Sequence, residues 1–99
     1  MNMIVKPGHK HVRIYMDYFG IGEDDIWWDE ATGTQHPFKS MTIHHIWGRG
    51  KGKDVIDNLM CLQIETHQRA HGTKNYVSKE EFQMIHRYFM QGQRKRFLN

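Results

Sequence analysis

Residues 41–72 read MTIHHIWGRGKGKDVIDNLMCLQIETHQRAHG, and the fold is decided there. The stretch opens on an apolar, β-branched run, Met41-Thr42-Ile43, that ends in two adjacent histidines, His44 and His45. A glycine-rich basic loop follows, in which Gly48, Gly50 and Gly52 alternate with Arg49, Lys51 and Lys53. A second apolar run, Val55 to Leu62, contains Asn58, and a polar, helix-compatible segment then places His67 and His71 four residues apart. Strand, loop, strand and helix is the simplest order of elements. Four of the chain's eight histidines fall in this one unit, a concentration that a purely structural role does not predict.

The residue types suggest a chemistry. Neighbours on a strand point to opposite faces, so His44 and His45 play different parts, one facing a helix and the other solvent or substrate. Positions i and i+4 share a helix face, so His67 and His71 can converge on one point. Imidazole is the commonest metal ligand and also takes a proton near neutral pH. Two or three ligating imidazoles beside a free one would supply a Lewis acid and a general base, which suits hydrolysis of a phosphodiester.

His44-His45, Asn58 and His67 stand in the order and spacing of the HNH endonucleases, and the chain resembles that family over about a third of its length. Leu59 and Leu62 match the run that precedes the family's helix. The resemblance implies a ββα-metal finger with its core at about residues 38–72. It also implies roles: His44 and His67 as metal ligands, His45 as general base, and Asn58 as the residue that pins the hairpin loop. His71 resembles the further helix histidine of the colicin-type branch, although Gly72 directly after it can end the helix. One divalent ion is implied, and imidazole ligands favour Zn, Ni, Co or Mn over Mg. Many small relatives also hold a structural zinc with two CxxC pairs. Here the second pair falls on Gln63 and Thr66, and Cys61 is the only cysteine, so a thiolate knuckle is excluded. Packing by Trp27, Trp28, Phe38 and Trp47 is the expected substitute.

The 99 residues make one domain with a small core. No apolar run approaches the roughly 18 residues of a membrane span. Lys6, Pro7, Gly8, His9, Lys10 and Arg13 argue against a signal peptide. A lone cysteine fits a reducing compartment, so the expected location is cytoplasmic, the host's cytoplasm if the gene belongs to a phage or mobile element. Net charge is +3, with basic clusters at Arg49, Lys51, Lys53 and at Arg94, Lys95, Arg96. Both clusters are candidate nucleic-acid contacts. The acidic cluster Glu23, Asp24, Asp25, Asp29, Glu30 reads as a solvated loop, and the adjoining tryptophans as core. His36 reads as an incidental loop histidine.

Residues 9–19 show helical periodicity in Val12, Tyr15, Met16 and Phe19, with Gly20 as the stop. Phe38–Ile46 and Asn58–Leu62 read as the finger's strands, and Ile64–Ala70 as its helix. Ser78 and Glu81 form a capping box for a last helix ending near Gln91, on which His86 reads as a surface or interhelical histidine. Arg94–Arg96 then form a frayed basic tail.

The expectation is therefore an α+β fold, a hairpin and helix flanked by one helix on each side. The expected function is metal-dependent DNA endonuclease or nickase, weakly sequence-specific unless a dimer or a larger DNA-processing partner lends specificity. The rivals are a ββα module that grips nucleic acid without cutting, and a structural metal site in a protein-interaction domain.

Overall fold

A computed structural model describes residues 4–99. Its centre is the hairpin that carries the double histidine, and a smaller hairpin precedes that one in the chain. The elements are α1 (Lys10–Phe19), β1 (Ile26–Trp28), β2 (Gln35–Pro37), β3 (Thr42–His45), β4 (Leu59–Leu62), α2 (Ile64–Gln68) and α3 (Lys79–Met90). Two antiparallel pairs form, β1 with β2 and β3 with β4. The fold is α+β, as expected.

In the central pair Thr42 faces Leu62, Ile43 faces Cys61, His44 faces Met60 and His45 faces Leu59. Alternation along a strand sends these rungs to opposite sides. Ile43, Leu59 and Cys61 pack with Val12 and Tyr15 of α1 and with Phe38 and Met41. Met60 and Leu62 pack on the other side with Ile46, Val77 and Phe82 and Ile85 of α3. All eight residues of β3 and β4 are consequently buried. His44 thus points towards α2 and α3, and His45 towards α1.

Local chemistry sets the element ends. Gly20 takes the left-handed conformation at φ 67° and donates its N–H to Met16 O, which closes α1. Ser78 accepts from Glu81 N–H at 3.1 Å and caps α3. The elements of the central hairpin and the helix after it are shorter than the sequence pattern implied. Phe38–Ser40 is a 3-10 turn rather than strand, closed by Met41 N–H to Phe38 O, and Ile56–Asn58 is another. The helix α2 ends at Gln68, after which i to i−3 hydrogen bonds from Ala70 and His71 tighten the chain.

The segment around β1 and β2 departs most from expectation. Asp24 and Asp25 are exposed, but Asp29 and Glu30 are buried at 0% and 1%, so this is not a solvated acidic loop. Trp27 is half-buried against Phe19 and Phe89, whereas Trp47 is 37% exposed and does not replace a zinc knuckle. His36 lies in β2, with Nε2 2.7 Å from Thr34 Oγ1. The basic tail is not frayed either. Phe97 and Leu98 donate their N–H groups to Ala31 O, and Arg94 folds back to donate to Phe89 O at 2.7 Å with its guanidinium 3.6 Å from the Phe89 ring centre. Gly33, at φ 74°, allows this docking, because a Cβ there would lie 2.7 Å from the Lys95 carbonyl carbon. Among the described residues no helix is long and apolar enough to cross a membrane.

Candidate metal centre

The side of the central hairpin that faces α2 holds three histidines from three positions in the chain. His44 comes from β3, His67 from α2 and His71 from the turn after it. One ring nitrogen from each lies within 4.8 Å of the others. His71 stays beside His67 although α2 has ended, because the tight turn continues the helical sense. Their ring centres are 5.7 Å apart. His44 and His67 are closer, with Nδ1 of the first 3.0 Å from Nε2 of the second.

The hydrogen-bond network assigns the tautomer of His67. Thr42 Oγ1 donates its one proton to Leu62 O at 2.9 Å, so towards His67 Nδ1, at 2.8 Å, it accepts. His67 therefore carries its proton on Nδ1 and presents a lone pair at Nε2. His44 Nδ1–H donates to that lone pair. Moving the His44 proton to Nε2 would leave two lone pairs facing one point.

The setting keeps these rings uncharged. Burial, followed by the neighbouring His67, His71 and His45, lowers the His44 pKa from the usual 6.5 to about 3. Burial and the charges of His71 and Arg49 lower that of His67 to about 4. A metal needs neutral imidazoles, and this pair is neutral at physiological pH without help. Nitrogens sharing a tetrahedral ion at ~2.0–2.1 Å stand about 3.3 Å apart, close to the His44–His67 spacing. His71, exposed, has room to turn inward. The donors present therefore fit Zn, Ni, Co or Mn better than Mg.

Helix α2 is fixed from outside. Asp29 Oδ2 accepts from Gln63 N–H, at the helix N-terminus, and from Thr66 Oγ1–H at 2.7 Å. Its Oδ1 accepts from Ala31 and Thr32 N–H. This buried carboxylate sets where α2 begins and hence where His67 points. No local signal announced it, since its partners are 34 and 37 residues away.

The other side of β3 is occupied by His45. Its Nε2 donates to Asp54 Oδ1 at 2.8 Å, and its Nδ1 has no hydrogen-bond partner among the described residues. That bond in turn lowers the Asp54 pKa below its usual value. The expectation that one of the paired histidines faces solvent is not met, as His44 and His45 are 4% and 7% exposed. The ring of His11, from the first turn of α1, lies 4.8 Å from that of His45. Burial, then His45 and Arg49, lowers the His11 pKa to about 4. Sequence reading missed both Asp54 and His11. The available signals were an acid at the end of the basic loop and a histidine four residues before the buried Tyr15.

Asn58 ties the loop together. Its Oδ1 accepts from Trp47 N–H at 2.8 Å, and its Nδ2 donates to Gly48 O and Lys53 O. It is a structural tie with no hydrogen bond to the histidines. Of the six basic candidates, Arg49 alone lines the cleft beside His67 and His71. Lys51 and Lys53 are exposed on the loop, Arg94 is packed on Phe89, Lys95 lies 5.2 Å from the Phe97 ring centre, and Arg96 is exposed. Comparison with protein-family models, curated proteins and solved structures gives no match to this chain.

Proposed function

We propose that the chain is a metal-dependent endonuclease of the HNH kind, in which β3, β4 and α2 act as a ββα-metal finger and hydrolyse DNA phosphodiester bonds. The observation that supports this most is the division across β3. His44 joins His67 and His71 on one side, while its neighbour His45 stays out of that group and is oriented by Asp54. A divalent ion held by His44, His67 and His71 would act as a Lewis acid on the phosphate. His45, held through Nε2 by Asp54, would take a proton from water at Nδ1. Asn58 keeps the basic loop in one conformation, so that Arg49 can neutralise phosphate charge beside the histidines.

The test is cleavage of supercoiled plasmid by wild type and His45→Ala, in EDTA and with Mg, Mn, Ni or Zn, alongside calorimetric metal titration. Wild type should nick or linearise the plasmid only with metal. His45→Ala should lose about 10²–10⁴-fold in rate with metal affinity unchanged. Equal cleavage by both proteins would remove His45 from the reaction.

One observation favours the non-catalytic binding module. The His45 side chain is 4% exposed and does not itself line the cleft, whereas His11, packed against it, does. DNA binding with no cleavage under any metal would decide for that reading.

A further inference from the structure

A cleft of about 610 Å³ runs between the entry to α1 and the end of α2. Its charged and titratable lining is Lys6, His9 and His11 on the α1 side, with Arg49, His67 and His71 completing it. Among the described residues no aspartate or glutamate lines it. A cavity of this size with two cations, four imidazoles and no carboxylate is built for an anion.

Three of its side chains, Lys6, Arg49 and His11, also lack hydrogen-bond and ion-pair partners among the described residues. The ion pairs among the described residues are Lys39–Asp24, His45–Asp54 and His86–Glu30, so neither Lys6 nor Arg49 is neutralised. Arg69 and Arg94 commit their guanidinium donors to backbone carbonyls, which Arg49 does not. The half-buried His11 ring makes contacts with His9 and His45 but no hydrogen bond to any described residue. Ile4, half-buried, adds apolar surface. A free inorganic anion would gain nothing from that surface, whereas the sugar faces of an ester would cover it.

We propose that this cleft is a phosphodiester-binding groove in which Lys6, His9 and His11 form a wall complementary to Arg49, delivering the strand to the three-histidine cluster. That the phosphodiester belongs to a nucleic acid rests on the nuclease reading; that the cleft takes a phosphodiester does not. The neutral His11 imidazole offers an N–H donor, and Lys6 and Arg49 supply the charge.

The test uses the full chain in EDTA and a short fluorescently labelled oligothymidylate, read by anisotropy over a range of salt. Lys6 and His9 are exposed, so a Lys6→Ala/His9→Gln protein keeps its fold. It should bind about tenfold more weakly, the size expected for losing one charge-assisted contact. Its salt slope should fall by about 0.7, one single-strand phosphate contact. His11→Gln should weaken binding in the same direction, and Lys39→Ala, outside the cleft, should not. Inorganic phosphate at equal phosphate concentration should compete poorly. Unchanged affinity in the cleft variants, no binding by wild type, or full displacement by inorganic phosphate would each overturn the proposal. Plasmid cleavage separates the two readings. Weakened cleft variants with a wild type that cuts nothing would remove the nuclease and keep the groove. A cutting wild type matched by its cleft variants in affinity and rate would do the reverse.

Discussion

His44 and His86 both have almost no exposed surface, 4% and 1%, and burial pushes each towards the neutral form. Their pKa values move in opposite directions from the ordinary histidine value of 6.5. Around His44 the neighbours are His67 and His71, so burial and like charge act together and the pKa falls to about 3. Around His86 burial is again the largest single influence, but Glu30 reverses it. His86 Nδ1 is 2.6 Å from Glu30 Oε1, and Nε2 donates to Ile56 O at 2.8 Å. The carboxylate's charge and these bonds together raise the pKa. One buried carboxylate separates a structural imidazolium from the neutral rings of His44 and His67. The region around Glu30 joins α3 to the core; the region around His44 leaves lone pairs for an ion.

Removing that carboxylate should give the largest effect. Glu30 Oε2 also accepts from Tyr15 Oη at 2.5 Å and from Cys61 N–H at 2.9 Å, so one side chain ties α1, β4 and α3. Trp27 Nε1 extends the network by donating to Tyr15 Oη. Glu30→Gln leaves a buried imidazole without its counter-ion, and such losses run to about 3–5 kcal/mol. Urea unfolding should show that loss, and NMR titration should show the His86 pKa falling towards the His44 pattern. A stability change near zero would mean that His86 is held neutral by packing alone.

The opposite region is sharpened by Thr42→Val, which keeps shape and removes the acceptor of His67 Nδ1–H. Without it His67 is free to place its proton on Nε2, the nitrogen that faces His44. Outer partners of metal-bound histidines are worth about 10–100-fold in affinity. Calorimetric titration with Zn or Ni should show a loss of that size, with the unfolding free energy in EDTA changed less. Unchanged affinity would mean that the ring orientation is set by packing and not by Thr42.

How much of this was legible depends on the distance over which each interaction acts. The helices α1 and α3 could be read because their periodicity and their caps, Gly20 and Ser78 with Glu81, are local. The central hairpin could be read because its two apolar runs bracket a glycine loop. His44, His67 and His71 converge as strand alternation and i, i+4 spacing suggest. The hairpin β1–β2 was opaque, since its strands are three residues long and lie beside acids that resemble solvent-facing ones. What buries Asp29 and Glu30 is distant: Thr66 is 37 residues away and His86 is 56. His11 and Asp54 were missed for a related reason. Neither belongs to the spacing pattern, and both become relevant only when α1 and the basic loop fold over β3.

The contrast between the two regions also fixes the pH dependence of the metal-free protein. Each tenfold difference in a group's proton affinity between the folded and unfolded chain is worth about 1.4 kcal/mol. His86 has its folded pKa raised above 6.5. Its contribution is complete below 6.5 and is lost as pH rises through the raised value. His44, His67 and His11 have folded pKa values lowered to about 3, 4 and 4. Below 6.5 the unfolded chain binds protons at these positions that the folded chain refuses, so stability falls as pH drops towards 4. Stability in EDTA should therefore be highest near pH 6.5 and decline on both sides. His86→Phe should flatten the alkaline limb and leave the acid limb, whereas His44→Asn should reduce the acid limb alone. Urea unfolding across pH 4–9 measures both limbs. An alkaline limb that survives in His86→Phe would show that another group, not the Glu30 pair, controls it.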